Sequence, residues 1–354
     1  MSGLDIYEAC AEGDVERVKY LISKGIEIND IGRFYNTPLD LAVARNRLEV
    51  ITELIKAGAD VNHSDRHGNT SLHNIIEDLY KDEDKFHNED KVHNKILNIL
   101  LATDIDIDKK NNDGMSALHI ACDDRHRHPS TVLKLIDAGA DINLTCTDAH
   151  FTPLHFCCND NLLSIQTSTD CVRYERRMAV VQLLLDCDGI NDINKPTKSG
   201  QTPLHMVCSK SNHDNIVVLL IERGANINQV NVFSGYTALM YACKAGHLKN
   251  VQALLTNNRN HVTSSHLYQK LDLYIKNDDG ATALEIAKSE GNILIVEALE
   301  REINWERRRK LLLMKCHTDC EKHKSHKPTL LGNLLSERVS TESKAIVKRV
   351  GKYM

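Results

Sequence analysis

The sequence predicts an all-α solenoid, a row of helix-turn-helix units, from three observations. First, a four-residue phrase returns seven times: Thr37-Pro38-Leu39-Asp40, Thr70-Ser71-Leu72-His73, Ser116-Ala117-Leu118-His119, Thr152-Pro153-Leu154-His155, Thr202-Pro203-Leu204-His205, Thr237-Ala238-Leu239-Met240 and Thr282-Ala283-Leu284-Glu285. Second, apolar residues recur at helical spacing after each copy. Third, phrases such as Gly58-Ala59-Asp60-Val61-Asn62, Gly139-Ala140-Asp141-Ile142-Asn143 and Gly224-Ala225-Asn226-Ile227-Asn228 follow the second apolar run. A hydroxyl residue caps a helix start, proline suits its first position, and glycine supplies the left-handed residue that ends a helix. The phrases therefore bracket helix pairs.

The first unit runs from Leu4 to about Ile31 and lacks the Thr-Pro signature. Ile6, Ala9, Val15, Val18, Leu21 and Ile22 form a helical pattern broken at Gly13-Asp14 and closed by Gly25. End units of a solenoid are atypical because one face meets water, so this reads as the N-terminal cap. In the second unit Thr37 caps the first helix, Pro38 opens it, and Leu39, Leu41 and Ala42 are expected in the core. Val50, Ile51, Leu54 and Ile55 make its second helix, Gly58 ends it, and Asp65 to Gly68 form a hairpin tip before the next unit. The pattern repeats with Leu133, Leu135 and Ile136, with Val217, Leu219 and Leu220, and with Val251, Leu254 and Leu255. The last unit, Gly280 to Ile303, has no closing phrase and flows through Glu300-Arg301-Glu302 into Trp305, a C-terminal cap passing into a helix.

The phrase begins at positions 37, 70, 116, 152, 202, 237 and 282, giving spacings of 33, 46, 36, 50, 35 and 45. The tract from about residue 4 to about residue 303 resembles the ankyrin repeat, whose period is about 33 residues. The resemblance implies a solenoid of about eight units with β-hairpin-like finger loops, near 4–34, 35–67, 68–113, 114–149, 150–199, 200–234, 235–279 and 280–303. Three units exceed the period by about 13, 17 and 12 residues. The first two insertions, around Glu77–Asn94 and Asn159–Glu175, separate the helices of their units; the third, about Asn257–Asp272, lies in the finger region before the next unit. Each reads either as surface slack, which costs little, or as a partner-specific extension.

Hydrophobic content of 42% and charged content of 26% are globular values. No run approaches the ~20 apolar residues of a membrane helix, and Met1 to Asp14 carries no basic cluster before an apolar stretch. The expectation is a soluble, cytoplasmic protein, with a nuclear location left open. From Asn304 onward there are 13 Lys and Arg against 5 Asp and Glu, a net of +8; the other 31 basic and 44 acidic residues give −13, and the two sum to −5. The expected boundary thus lies near Asn304, between an array (1–303) and a basic tail (304–354). Cys10, Cys122, Cys158, Cys208 and Cys243 share one repeat position, so they read as buried thiols in a reducing compartment rather than disulfide partners.

His73, His119, His155 and His205 stand about one repeat apart, too far to share a zinc ion. The resemblance implies instead that each bonds the Thr hydroxyl and backbone of its own turn. No phosphate-binding glycine loop, glycine fingerprint or nucleophile elbow is present, so neither an enzyme nor a cofactor site is expected. The tail holds Cys316, His317, Cys320, His323 and His326 within eleven positions. Zinc sites usually separate the two ligand pairs more widely, so an incidental polar linker is the better reading. Arg307-Arg308-Arg309-Lys310 before Leu311-Leu312-Leu313-Met314 reads as a helix continuing off the last unit, or as a docking helix or anionic-surface patch.

Ankyrin arrays hold protein partners on a concave surface of finger tips and first helices. Carried onto this sequence, the tips fall near Arg33-Phe34-Tyr35, Arg66-His67, Lys110-Asn111-Asn112, Asp148-Ala149-His150-Phe151, Lys198, Val232-Phe233 and Asn277-Asp278, and the first helices present Phe156, Met206 and Tyr241. Because aromatics anchor interfaces and turn tips need none to fold, the candidate contact residues are Phe34, Tyr35, Arg66, Phe151, Phe156, Met206, Phe233 and Tyr241. The expected function is a non-catalytic scaffold or adaptor for a protein partner. The alternative is a regulatory or host-directed effector whose array positions the tail for docking to nucleic acid, a membrane surface or ubiquitin machinery.

Overall fold

A computed structural model describes residues 4–32, 35–78, 89–123, 128–146, 149–159, 168–187, 189–190, 192–210, 213–257 and 269–322. Its helices come in consecutive pairs: α1 (Leu4–Glu12) and α2 (Val15–Ser23), α3 (Pro38–Ala44) and α4 (Leu48–Lys56), α5 (Ser71–Asp78) and α6 (Glu89–Leu101), α7 (Ala117–Cys122) and α8 (Pro129–Asp137). The order continues with α9 (Pro153–Cys158) and α10 (Ser168–Asp186), α11 (Pro203–Lys210) and α12 (Asp214–Glu222), α13 (Ala238–Ala245) and α14 (Leu248–Asn257), α15 (Ala283–Ser289) and α16 (Ile293–Lys322). Among the described residues no strand forms, and the hairpin character of the fingers is reduced to one isolated bridge, Val230 with Thr237. The chain divides into two compact units, Met1–Leu299 and Glu300–Met354.

In the first unit the first helices pack in a row, α1 on α3 and so on through α13 on α15, while second helices such as α2 and α4, or α12 and α14, form a parallel layer. Between the layers lie Leu39, Ala42, Leu54, Leu118, Val132, Val180, Leu220, Leu239 and Leu254, all excluded from water. Leu41 remains half-buried, and Val43 takes the core place beside Leu39 and Ala42. Gly58 has φ +92 at the end of α4, the left-handed geometry that glycine adopts without a Cβ penalty.

In three copies the histidine of the recurring phrase joins its unit to the one after it. Thr70 donates its backbone N–H to His73 Nδ1 at 3.1 Å, with its hydroxyl at 2.8 Å. His73 Nε2–H in turn donates to the carbonyl of Met115, in the next finger, at 3.1 Å. Ser116 and His119 repeat the arrangement, with Nε2 reaching the Leu144 and Phe151 carbonyls at 3.0 and 3.1 Å. His205 takes the Thr202 N–H at 3.1 Å and reaches the Gln229 carbonyl at 2.8 Å. His155 takes the Thr152 N–H at 3.1 Å, and its outer nitrogen is buried near the Lys195 and Gln201 carbonyls without a hydrogen bond to either. An Nδ1 that accepts an N–H holds no proton, so the assigned form is the neutral Nε2–H tautomer. The pairing expected within one turn is therefore also a bond between units.

Asp40 in the second unit accepts the Thr37 N–H and hydroxyl at 2.9 and 2.8 Å. A carboxylate has no proton to pass on, and the link is reversed: Ser71 donates its hydroxyl to Asp40 at 2.7 Å, and His63 Nδ1 pairs with it at 2.8 Å. A second ladder runs through the turn ahead of each finger. Asn29 accepts the Asp60 N–H, Asn62 the Asp106 N–H, Asp108 the Asp141 N–H, Asn194 the Asn226 N–H and Asn228 the Asp272 N–H. Asn143 donates to the Gly189 carbonyl in the same sense. In the last finger Tyr274 stands at this register and is exposed.

Two insertions are shorter as loops than the sequence suggests. Glu77–Asp78 complete α5 and Glu89–Asn94 open α6, so the charged residues around the first insertion extend both helices. Ser168–Glu175 likewise form the leading turns of α10. Once an apolar helix is nucleated against the core, propagation into polar sequence is cheap. Asn304, where the charge changes sign, lies inside α16.

In the second unit, described through Lys322, Arg309 lies over the Trp305 ring at 5.4 Å, and Leu311, Leu312 and Met314 are exposed. Cys316 and Cys320 fall on α16, while His323 and His326 lie outside the described residues. Among the described residues no cluster of three metal-ligating side chains occurs, and no helix is long and apolar enough to cross a membrane.

Burial lowers the pKa of His119, His155 and His205 from 6.5 to about 4. A histidine depressed in the folded state favours folding above its unfolded value. That stability is fully present above about pH 6.5 and is lost as the pH falls toward about 4, because only the unfolded chain takes up the proton in that window. Thermal midpoints should therefore drop across it, and His205→Gln should flatten the profile while lowering the midpoint at neutral pH. A second prediction concerns close approach. Gly235 has φ +65, and a Cβ there would stand 2.7 Å from the Asp278 backbone nitrogen, whereas nothing lies within 4 Å of a Cβ on Gly58. In urea unfolding, Gly235→Ala should cost about 2–3 kcal/mol and Gly58→Ala about 1 kcal/mol.

Candidate protein-interaction face

A typical finger is a turn closed across its base by a backbone hydrogen bond, with a second from the turn glycine inside it. Asp65 N–H reaches the Asn69 carbonyl, Asn111 that of Met115, Thr197 that of Gln201, Asn231 that of Tyr236 and Asn277 that of Ala281. The Asp or Asn side chain at the base accepts N–H groups inside the turn, which fixes the tip without needing a tip side chain. Asn111 Oδ1 takes the Asp113 and Met115 N–H groups at 3.1 and 2.9 Å, and Asn231 Oδ1 takes that of Phe233 at 2.8 Å. Backbone bonds then tie finger to finger: Asn112 N–H to the His67 carbonyl, Lys198 to Ala149, Asp278 to Ser234. These bonds hold adjacent tips in linked pairs.

The eight candidates divide by what they touch. Phe151 and Phe156 meet edge to face at 5.7 Å; Phe156 also meets His119 at 5.5 Å, and Phe151 stacks on His155 at 5.7 Å. Both phenylalanines are half-buried. Tyr241, also half-buried, accepts the Asn231 amide proton on its hydroxyl at 3.0 Å and packs against Tyr236 at 5.3 Å and His205 at 5.5 Å. Phe233 is 70% exposed and Val232 beside it 73%, both lying over the Gly200 turn of the preceding finger. Tyr35, at φ +62, is exposed, and so is Arg66, whose Nε–H reaches His67 Nε2 at 2.9 Å. Phe34 lies outside the described residues.

Met206 is a correction. It is 1% exposed and cannot meet a partner. It occupies the register of Phe156 and Tyr241, four residues after the capping threonine, on the helix between theirs, yet it is fully covered where they are half-buried. Sequence reading also passes over Tyr236 and Lys244, whose ammonium lies 5.3 Å from the Tyr236 ring. The signal is available: Lys244 stands three residues after Tyr241 on α13, a spacing that shares a helix face.

These placements separate aromatics used for packing from aromatics left over. Phe156→Ala should destabilise the fold by about 2 kcal/mol, since it empties contacts with two other rings. Phe233→Ala should change stability by less than about 0.5 kcal/mol. Equal losses in chemical denaturation would show that Phe233 is a folding residue and remove it from the face.

Comparison with known proteins places this geometry in context. A family model described as ankyrin repeats matches residues 6–81, 89–174, 169–266 and 231–309. The human transient receptor potential cation channel subfamily A member 1 is 28% identical over 243 residues, 69% of this chain and 19% of the channel. The chicken nuclear factor NF-kappa-B p105 subunit is 33% identical over 187 residues, 52% of this chain and 16% of that protein. The putative ankyrin repeat protein YahD of Escherichia coli is 27% identical over 222 residues, 62% of this chain and 96% of that protein. The chain thus spans less than a fifth of the channel and of the p105 subunit.

Proposed function

The chain belongs to the ankyrin repeat family, and on that premise we propose that it is a non-catalytic scaffold or adaptor that holds a protein partner on its fingers and first helices. Ankyrin repeats are generally protein–protein interaction modules and generally not enzymes. The observation that carries the reading is the finger that leads into the seventh unit, where Val232 and Phe233 are exposed beside the half-buried Tyr236 and Tyr241. Exposing large apolar side chains costs solvation, and the turn needs neither to close. The array occupies residues 1–303 in about eight units, and the tail begins at 304.

A second reading rests on α16. Its continuation carries exposed Leu311, Leu312 and Met314 directly after Arg307–Lys310, a composition suited to docking on an anionic surface or a partner groove. In this reading the array is the platform and the tail the effector. The two separate experimentally. Capture of partners from the source cell should fall at least about tenfold with Phe151, Phe233 and Tyr241 all changed to Ala, and survive deletion of 304–354. Capture unchanged by the triple substitution but lost with the tail would reverse the assignment.

A further inference from the structure

Resting on the scaffold reading, we propose that the sixth- and seventh-unit part of this face selects an acidic peptide segment carrying a large apolar side chain. The first observation is charge. Residues 195–212 and 229–246, the fingers and first helices of these units, contain Lys195, Lys198, Lys210 and Lys244 and no Asp or Glu. They do so within an array whose net charge is −13 (31 basic against 44 acidic residues). The corresponding stretches on either side differ: 145–162 holds Asp148 and Asp160 and no Lys or Arg, and residues 275–291 hold Lys276 and Lys288 against Asp278, Asp279, Glu285 and Glu290. One sign is therefore confined to two adjacent units and bounded by the other.

The second observation is that these residues form one connected surface. Val232 and Phe233 lie over Gly200 and directly follow Asn231, whose amide bonds both the Ser199 carbonyl at 2.9 Å and the Tyr241 hydroxyl at 3.0 Å. Tyr241 packs on Tyr236, and Lys244 covers Tyr236. Lys198, Lys210 and Lys244 are exposed and make no ion pair among the described residues, while Lys195 is anchored on the Asn143 carbonyl at 3.4 Å. Lys244 thus lies on the ring cluster, Lys198 and Lys210 are exposed in the same two stretches, and none of the three has an ion-pair partner among the described residues. An apolar ligand side chain would be desolvated against Phe233 and Tyr241, and carboxylates beside it would meet the lysines.

Charge also selects among occupants. The chain's own tail carries +8, the sign of this face, so it is disfavoured here. A nucleic acid strand would satisfy the lysines, yet it stacks bases on open ring faces. Here Tyr236 and Tyr241 are committed to each other, to Lys244 and to His205, so Phe233, beside Val232, is a single exposed ring rather than a run of stacking platforms.

The test is a selection of random 12-residue peptides on the full chain, followed by titration of the recovered peptides against the protein and a K198E/K210E/K244E variant. The expected ligands carry net negative charge with at least one Phe, Tyr, Trp, Leu or Met. Their affinity should fall at least about tenfold on charge reversal and at least about fivefold between ~50 and ~300 mM salt. The lysines are exposed, so the variant should keep its thermal midpoint; Phe233→Ser in the otherwise natural chain is a second, independent variant and should weaken the same peptides. Neutral or basic ligands, or ligands bound equally by the charge-reversed protein, overturn the proposal. So does a single-stranded oligonucleotide that binds more tightly than the selected peptides. Partner capture that depends on Phe151, Phe233 and Tyr241 but ignores the three lysines would sink this proposal and leave the scaffold reading standing.

Discussion

A neutral imidazole with one lone pair and one N–H is the part on which the rest of this array depends. Placed three residues after a capping Thr or Ser, it accepts a backbone N–H of its own turn and donates to a carbonyl of the next. That makes it both a helix cap and a bond between units. His73, His119 and His205 show the full geometry, and burial keeps all of them in the form that can do both jobs. Where the residue changes, so does the direction of the link. Asp40 can only accept, and Ser71 and His63 on the following segment donate to it. Glu285 ends the series as a simple cap, bonded to Thr282 N–H and hydroxyl at 2.7 and 2.8 Å.

That economy has a functional consequence. Residues committed to the frame are unavailable for chemistry, which removes the histidines most suggestive of a metal or catalytic site. The shared-position cysteines follow the same logic. Cys10 and Cys243 are buried thiols pushed up to about 12, and Cys208, beside Cys158 and Cys243, is pushed higher still. Thiols so far from ionisation are poor nucleophiles and poor ligands. They serve as small apolar residues where helices cross. On the proposed reading, recognition falls to positions that the frame does not use, such as the exposed tip at Val232 and Phe233.

The helices, their caps and their order were legible in the sequence because each signal is local. Thr37, Pro38 and Gly58 act on residues within a turn of themselves, and the observed geometry at all three follows from that. What was hidden depends on neighbours one repeat away. Met206 looks like Phe156 and Tyr241 in register, and only the packing of adjacent first helices decides that it is covered. The forward reach of His73, His119 and His205, and the turn ladder from Asn29 to Asn228, are likewise invisible without knowing which carbonyl comes next. The insertions misled for a related reason. Ser168–Glu175 and Glu89–Asn94 are polar enough to read as loop, yet each is helical because an apolar helix begins immediately after it.

The histidine relay can be tested directly by nitrogen-15 magnetic resonance of the imidazole rings in the full chain. The account predicts Nε2–H tautomers for His73, His119, His155 and His205 at neutral pH, with no protonation until the pH falls well below the ordinary value of 6.5. Rings that titrate near 6.5, or that exchange rapidly between tautomers, would contradict it. They would return these four residues to the list of side chains free to act.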